Sequence, residues 1–446
     1  MKKVAASLFA LASLSLAVPS FAQGGGPQPS AAKTVVIRAA RMFDGRSDAV
    51  VSPGLVVVSG GRIQAVGAQA RVPAGAEVID LGDATILPGF MDAHTHITGE
   101  ATADWKQDEL DALKKSLPEQ ALDATVFTRR TLMIGFTTVR DLGAGELVDV
   151  GLRNAIANGR VEGPRILAAV RAVGATGGHC DPTGGYRPDL FNPALNLDAT
   201  VADGADAVRR AVRLNVKQGA DVIKVCATGG VLSLVGDVSS PQLTQAELDA
   251  LVDEAHALKK RAAAHAHGAE GAKRAIRAGI DSIEHGSFLD DEALELMRQR
   301  GTYLVPTLMA AQGLRERLAR NDPLPPNVAD KARAAIASID ATFRKAVERG
   351  VRIAFGTDAG VYPHGRNAEE FRLMVERGMT PAAALRAATA VNADLFGVAD
   401  RLGTLEPGKL ADIIATPGDP TRDIRQTERV FFVMKEGRVF KNDRPR

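Results

Sequence analysis

The sequence predicts an α/β protein: a (β/α)8 TIM barrel with a small β-sandwich domain formed from both termini. Two contrasts in texture and one count predict it. Between residues 89 and 401, short apolar runs alternate with longer stretches of helical periodicity, as in a parallel sheet with helical crossovers. Residues 34–88 instead show short alternating runs broken by turn residues, and the same texture returns in residues 402–446. Eight runs can be counted in the middle, the number that closes a barrel of this kind.

In chain order, the first 22 residues read as a secretory signal peptide: Lys2 and Lys3, an apolar run from Val4 to Val18, then small residues at Ser20 and Ala22. The run is too short and wrongly flanked for a membrane anchor. The expected location is therefore periplasmic or secreted, with no membrane partner after signal cleavage. Residues 23–33 have linker composition. The sandwich strands are expected in "TVVIRAARMFDG", "GLVVVSGGRIQAVG" and "EVIDLGDATILPG", joined by "LADIIATPGD" and "VFFVMKEGRVF" from the far end.

The eight barrel runs are one ending at His94, then "FTTVRDLG", "RILAAV", "DVIKVCATGG", "AAAHAHG", "DSIEHGS", "YLVPTL" and "RIAFGTDAG". Helices are expected in "TQAELDALVDEAHALKKR", opened by a Thr244–Glu247 capping box, and in "PAAALRAATAVNADLFG". The formal charge is +2 and no basic run or aromatic–basic interleaving occurs, so no nucleic-acid partner is expected. Two cysteines, Cys180 and Cys226, cannot staple a fold of this size, which must rest on its hydrophobic core. Whether they pair is open at this level, as is homo-oligomerisation.

Chemistry-bearing residues fall at the carboxyl ends of these runs, where such barrels keep their active sites. In "GFMDAHTHITGE", His94 and His96 share one face of a strand, an arrangement suited to a metal ion. Lys224 lies among Val222, Ile223 and Val225, where desolvation favours the neutral amine. A neutral amine can take up carbon dioxide, and the resulting carbamate offers two oxygens to two metals. His265 and His285 complete the second metal, while Asp358 in "GTDAG" binds the first and can move a proton. His267 shares the face of His265 but lies past the expected strand end, and is assigned to substrate contact. Two neighbouring cations suit hydrolysis of a carbonyl–nitrogen bond.

These residues resemble the amidohydrolase superfamily across the whole mature chain: "GFMDAHTH", the lysine of "VIKV", His265, His285, "GTDAG" and the closing "LGTLEPGKLADIIA". "GGHCDPTGGY", "VIKVCATGGVLS", "AHAHG" and "IEHGS" are most similar to the branch holding Xaa-Pro dipeptidase-type enzymes, imidazolonepropionase-like proteins and ochratoxinase. The resemblance implies two divalent metal ions, with zinc expected, a carboxylated Lys224, and a small-molecule amide or dipeptide substrate carrying a free carboxylate. Ochratoxin A is one such amide. His179, Tyr186, His267 and His364 are the candidates for substrate contact. Two alternatives stand beside this reading. One is a mononuclear cyclic-amide hydrolase in which Lys224 does not bridge. The other is a non-catalytic binding protein on the same barrel.

Overall fold

The computed structural model describes residues 33–187 and 200–443; the expected signal segment and all but the last residue of the expected linker lie outside the described residues. Strands from both ends of the chain meet in the sandwich. One sheet holds Arg62–Val66, Gly54–Ser59, Val35–Ala39 and Glu77–Asp80 in that spatial order. The other runs from Arg438–Asn442 through Phe432–Lys435 and Ile413–Pro417 to Ala84–Pro88, Arg41–Phe43 and Val50–Val51. Its central seam is antiparallel, with Ile414 opposite Leu87. Alternation along the strands turns Ile37, Val56, Val58, Ile86, Ile413, Phe432 and Met434 into one shared core. Two tight hairpins set the register: Gly60–Gly61 and Glu436–Gly437 both adopt positive φ, as a two-residue turn between twisted strands requires.

The barrel follows directly. Its strands are Phe90–Thr95, Phe136–Asp141, Arg165–Ala168, Val222–Cys226, Arg261–Gly268, Ser282–Phe288 and Tyr303–Val305. All neighbouring pairs within its two ladders are parallel. Isolated parallel bridges link the third and fourth strands at Val173–Val225 and bring the eighth segment in at Leu304–Ile353 and Thr95–Ala359.

The eighth run departs from expectation, because residues 352–358 form no continuous ladder. Its backbone bonds to both neighbours, Ala354 N–H to the Leu304 carbonyl at 2.9 Å and Asp358 N–H to the His94 carbonyl at 2.7 Å, while Asp92 accepts from the backbone N–H and the hydroxyl of Thr357 at 3.1 and 2.6 Å. Gly356 lets the segment press against the first strand: a Cβ there would stand 3.0 Å from the His94 nitrogen and 2.3 Å from Val305. Gln245–Ala257 is helical with both halves of its capping box formed. The long helix expected from Pro381 is broken into Pro381–Arg386, a π-helical turn at Ala387–Val391 and Asn392–Leu395. The turn delivers Asn392, whose amide donates to the carbonyls of Met91 and Phe355 at 2.8 Å each. Among the described residues no helix is long and apolar enough to cross a membrane.

Candidate active site

The carboxyl ends of the barrel strands enclose a cavity of about 700 Å³. His94, His96, Lys224, His265, His285 and Asp358 all line it, together with His179 and His267. Residues in the carboxyl-terminal parts of the first, fourth, fifth, sixth and eighth barrel segments thus reach one space.

Asp358 occupies the centre of one side. Its Oδ1 lies 3.4 Å from His94 Nε2 and 3.3 Å from His96 Nε2, is buried, and receives no hydrogen bond. The positive φ of Asp358 and His285, 62° and 71°, is a backbone form that non-glycine residues adopt at a cost of about 1 kcal/mol or more. Such strain is carried where a side chain must be aimed. Ligand-capable atoms fall into two groups, His94 with His285 and Asp358, and His265 with His267 and His285, each within 4.8 Å. The orphaned carboxylate oxygen and these neutral nitrogens form a donor set that fits divalent cations.

Electrostatics prepare three of the imidazoles for that role, whereas on His96 burial is outweighed by Asp358, which holds the ring above its ordinary value. Burial pushes His94 down to about 4, aided by the nearby Lys224 ammonium, and pushes His265 and His285 well below the usual range. They are therefore neutral ligands at neutral pH. Burial also lowers Lys224 to about 8, with the Arg140 charge adding to it against Glu284 and Asp358. Burial alone would raise Asp358, but His94, His96 and Lys224 hold its carboxyl below the ordinary value.

Behind the cavity, sequence reasoning missed a network that fixes His94. Glu284 Oε2 lies 2.9 Å from His94 Nδ1, and Oε1 accepts from Arg140 at 2.9 Å and from Ser282 at 2.5 Å. Arg140 also donates from Nε to the Ala93 carbonyl at 2.6 Å. With Nδ1 engaged by the carboxylate, His94 presents its Nε2 lone pair to the site. Burial works against the Glu284 charge, but Arg140 and His94 hold its carboxyl down at about 2. An acid two residues after Ser282 and next to His285, in the middle of an expected barrel strand, is the signal that could have revealed it.

The substrate-contact candidates divide. His267 lies inside the fifth strand rather than past its end, stacked on His285 with 4.8 Å between ring centroids, and its Nδ1 is 2.9 Å from the Ser287 hydroxyl. The structure therefore places it as close to the ligand cluster as His265. His179 lines the cavity from the loop after the third strand, its ring centroid 4.2 Å from that of His265. Tyr186 and His364 are not among the lining residues. Tyr186 hydrogen-bonds Glu109, while buried His364 stacks on Phe127 and has Nε2 2.8 Å from the Gly99 carbonyl. Both side chains contact the surrounding loops and not the cavity wall where they were expected. Another wall, also unforeseen, is apolar: Leu314, Ile336 and Ile339 from the helices Leu308–Arg320 and Pro326–Glu348. Cys180 and Cys226 are joined in a disulfide.

Comparison with known proteins agrees with this geometry. Residues 85–440 match the amidohydrolase family. Ochratoxinase of Aspergillus niger is 34% identical over 432 residues, covering 92% of this chain and 87% of the relative. Imidazolonepropionase of Cutibacterium acnes is 27% identical over 410 residues, covering 88% and 91%. Among solved structures, a Xaa-Pro dipeptidase with methionine bound in its active site superposes with a TM-score of 0.88 at 43% identity, covering 92% of this chain and all of the other. With its barrel, its strand-end donor set and these relatives, the chain belongs to the amidohydrolase family and is a metal-dependent hydrolase.

Proposed function

We propose that the protein is a periplasmic or secreted binuclear hydrolase that cleaves the amide bond of dipeptides or N-acyl amino acids with a free carboxylate, ochratoxin A included. The observation that supports the reading is that two groups of ligand-capable atoms, His94 with His285 and Asp358 and His265 with His267 and His285, lie next to each other. His94, His96 and Asp358 would hold one ion and His265 and His285 the other, with a carboxylated Lys224 between them; zinc is the expected metal. His267 borders the second position. Two further observations support the reading. Both Glu284 oxygens are already engaged, so the lysine is left to the cavity. The disulfide suits the oxidising compartment that the signal peptide implies.

Bound divalent cations would polarise the amide carbonyl and acidify water. The remaining work belongs to the chain. Asp358 accepts the proton as water oxygen adds to the carbonyl carbon, then returns it to the nitrogen as the carbon–nitrogen bond breaks. His179 and His267 border the reacting group. Arg171 and Glu146, ion-paired with each other, form one polar stretch of the cavity wall. The apolar wall of Leu314, Ile336 and Ile339 receives the hydrophobic part of the acyl group or side chain.

Metal content per chain and hydrolysis of dipeptides ending in Pro, Arg and Phe, an N-acyl amino acid and ochratoxin A test the reading together. Two metals with release of a carboxy-terminal amino acid are expected, and Lys224 should carry the mass of one added carbon dioxide. One metal and no turnover on this panel would sink it and favour the mononuclear cyclic-amide alternative.

A further inference from the structure

Most candidate ligands sit on barrel strands, which hold them by ladder hydrogen bonds. His179 does not. It belongs to the loop that follows the third strand, and a site built on loops is aimed less firmly than one built on strands. What steadies this loop is a set of ties to the fourth strand and the segment after it. Cys180, the next residue, is bonded to Cys226, the last residue of the strand that carries Lys224, with 5.8 Å between the Cα atoms. Both cysteines border the cavity.

The other ties reach His179 itself. Its backbone N–H donates to Gln242 Oε1 at 2.8 Å, and its Nδ1 meets the Ser233 hydroxyl. The ring lies flush on Gly230, where a Cβ would stand only 2.3 Å from it. On the loop side, Cys180 is pressed on Gly174, where a Cβ would stand 2.7 Å from the Cys180 Cβ. Gly174 follows Val173, which exchanges backbone hydrogen bonds with Lys224 and Cys226 at 2.8 and 2.9 Å. The imidazole is thereby clamped between Gly230 and the His265 ring, with the covalent link one residue away.

We infer that the Cys180–Cys226 disulfide is a positioning device for the reaction: it sets His179 against the ligand cluster, so that opening it costs turnover rather than metal. The inference rests on the amide-hydrolase reading above. A merely structural cross-link would change stability and leave the turnover of the folded protein alone.

The test compares wild type, wild type after thiol reduction and the double variant Cys180→Ser/Cys226→Ser, all metal-loaded, on the carboxylate-bearing amide panel. Opening the disulfide should lower kcat by between about 10- and 100-fold, the usual penalty for a misplaced contact group, with KM and metal content little changed. In a His179→Gln background the same change should add no further loss in kcat. Unchanged kcat, or a loss that adds in full in that background, would overturn the inference. Should the double variant fail to fold, Gly230→Ala displaces the same ring from its other side with the disulfide intact and should reproduce the kcat loss; full activity in it would count against the idea. If wild type turns over nothing on the panel, the functional reading fails by itself. Positioning is then read without substrate, as the rate at which diethyl pyrocarbonate modifies His179, mapped by peptide mass. Opening the disulfide should raise that rate, and equal protection in both forms would overturn the inference.

Discussion

The sandwich and the mouth of the barrel are built on opposite terms. In the sandwich, local rules are obeyed: alternation matches the pleat, and three of the four residues in its two-residue hairpin turns are glycines. At the mouth they are broken. His285, Thr307 and Asp358 hold positive φ, and Asp92, Asp141, Glu284 and Glu370 are buried carboxyls. A fold tolerates such departures where the surrounding structure over-determines them, and at the mouth they fall on or beside the candidate ligands.

Substitutions should separate the two regions. The largest effect is expected from Asp358→Asn, which leaves the shape but removes the proton acceptor. Amide turnover should fall by about 10²–10⁴-fold with the folded protein intact, as steady-state kinetics and circular dichroism would show; retained turnover would break the assignment. Phe432→Ala should do the reverse, costing about 3–5 kcal/mol in denaturant unfolding through the cavity left in the sandwich, with turnover per folded molecule unchanged.

Glu370 gives the mouth a pH signature. It accepts from the backbone N–H groups of Leu308 and Met309, and burial raises its carboxyl from 4.5 to about 8. Between those values the folded chain keeps a proton that the unfolded chain has lost, so stability declines as pH rises through that window. Glu370→Gln should flatten the decline by up to a few kcal/mol, measured by urea unfolding at several pH values. Asp92 and Asp141, raised by burial to about 7 and about 8, act in the same direction, so part of the slope should survive. A slope unaltered by the substitution would place the charge elsewhere. Glu284→Gln weakens the hold on His94 and leaves buried Arg140 without its counter-charge; metal affinity of the folded protein should drop by about 10- to 100-fold by competition with a chelator.

Much of this was legible in the chain, and the exceptions share a cause. The strand-end histidines, Lys224 and Asp358 could be placed because a barrel sends its chemistry to one end of every strand, a rule that needs only strand order. The ligand group of His267 could not, since it depends on the fifth strand continuing to Gly268. Tyr186 and His364 look like site residues in sequence, yet the Tyr186 hydroxyl bonds Glu109 and His364 Nε2 faces the Gly99 carbonyl. Arg140 and Glu284 are 144 residues apart, and no local pattern connects them.

By itself the sequence determined the architecture and the kinds of atom at the barrel mouth, because periodicity and strand order are written locally. Only the tertiary structure decided which atoms meet. It left the eighth run without a continuous ladder, paired Cys180 with Cys226, set the Leu314 and Ile336 wall, and gave His94 its partner Glu284. Those outcomes hang on contacts between residues distant in the chain, whose energies depend on burial and approach distances that no run of residues specifies.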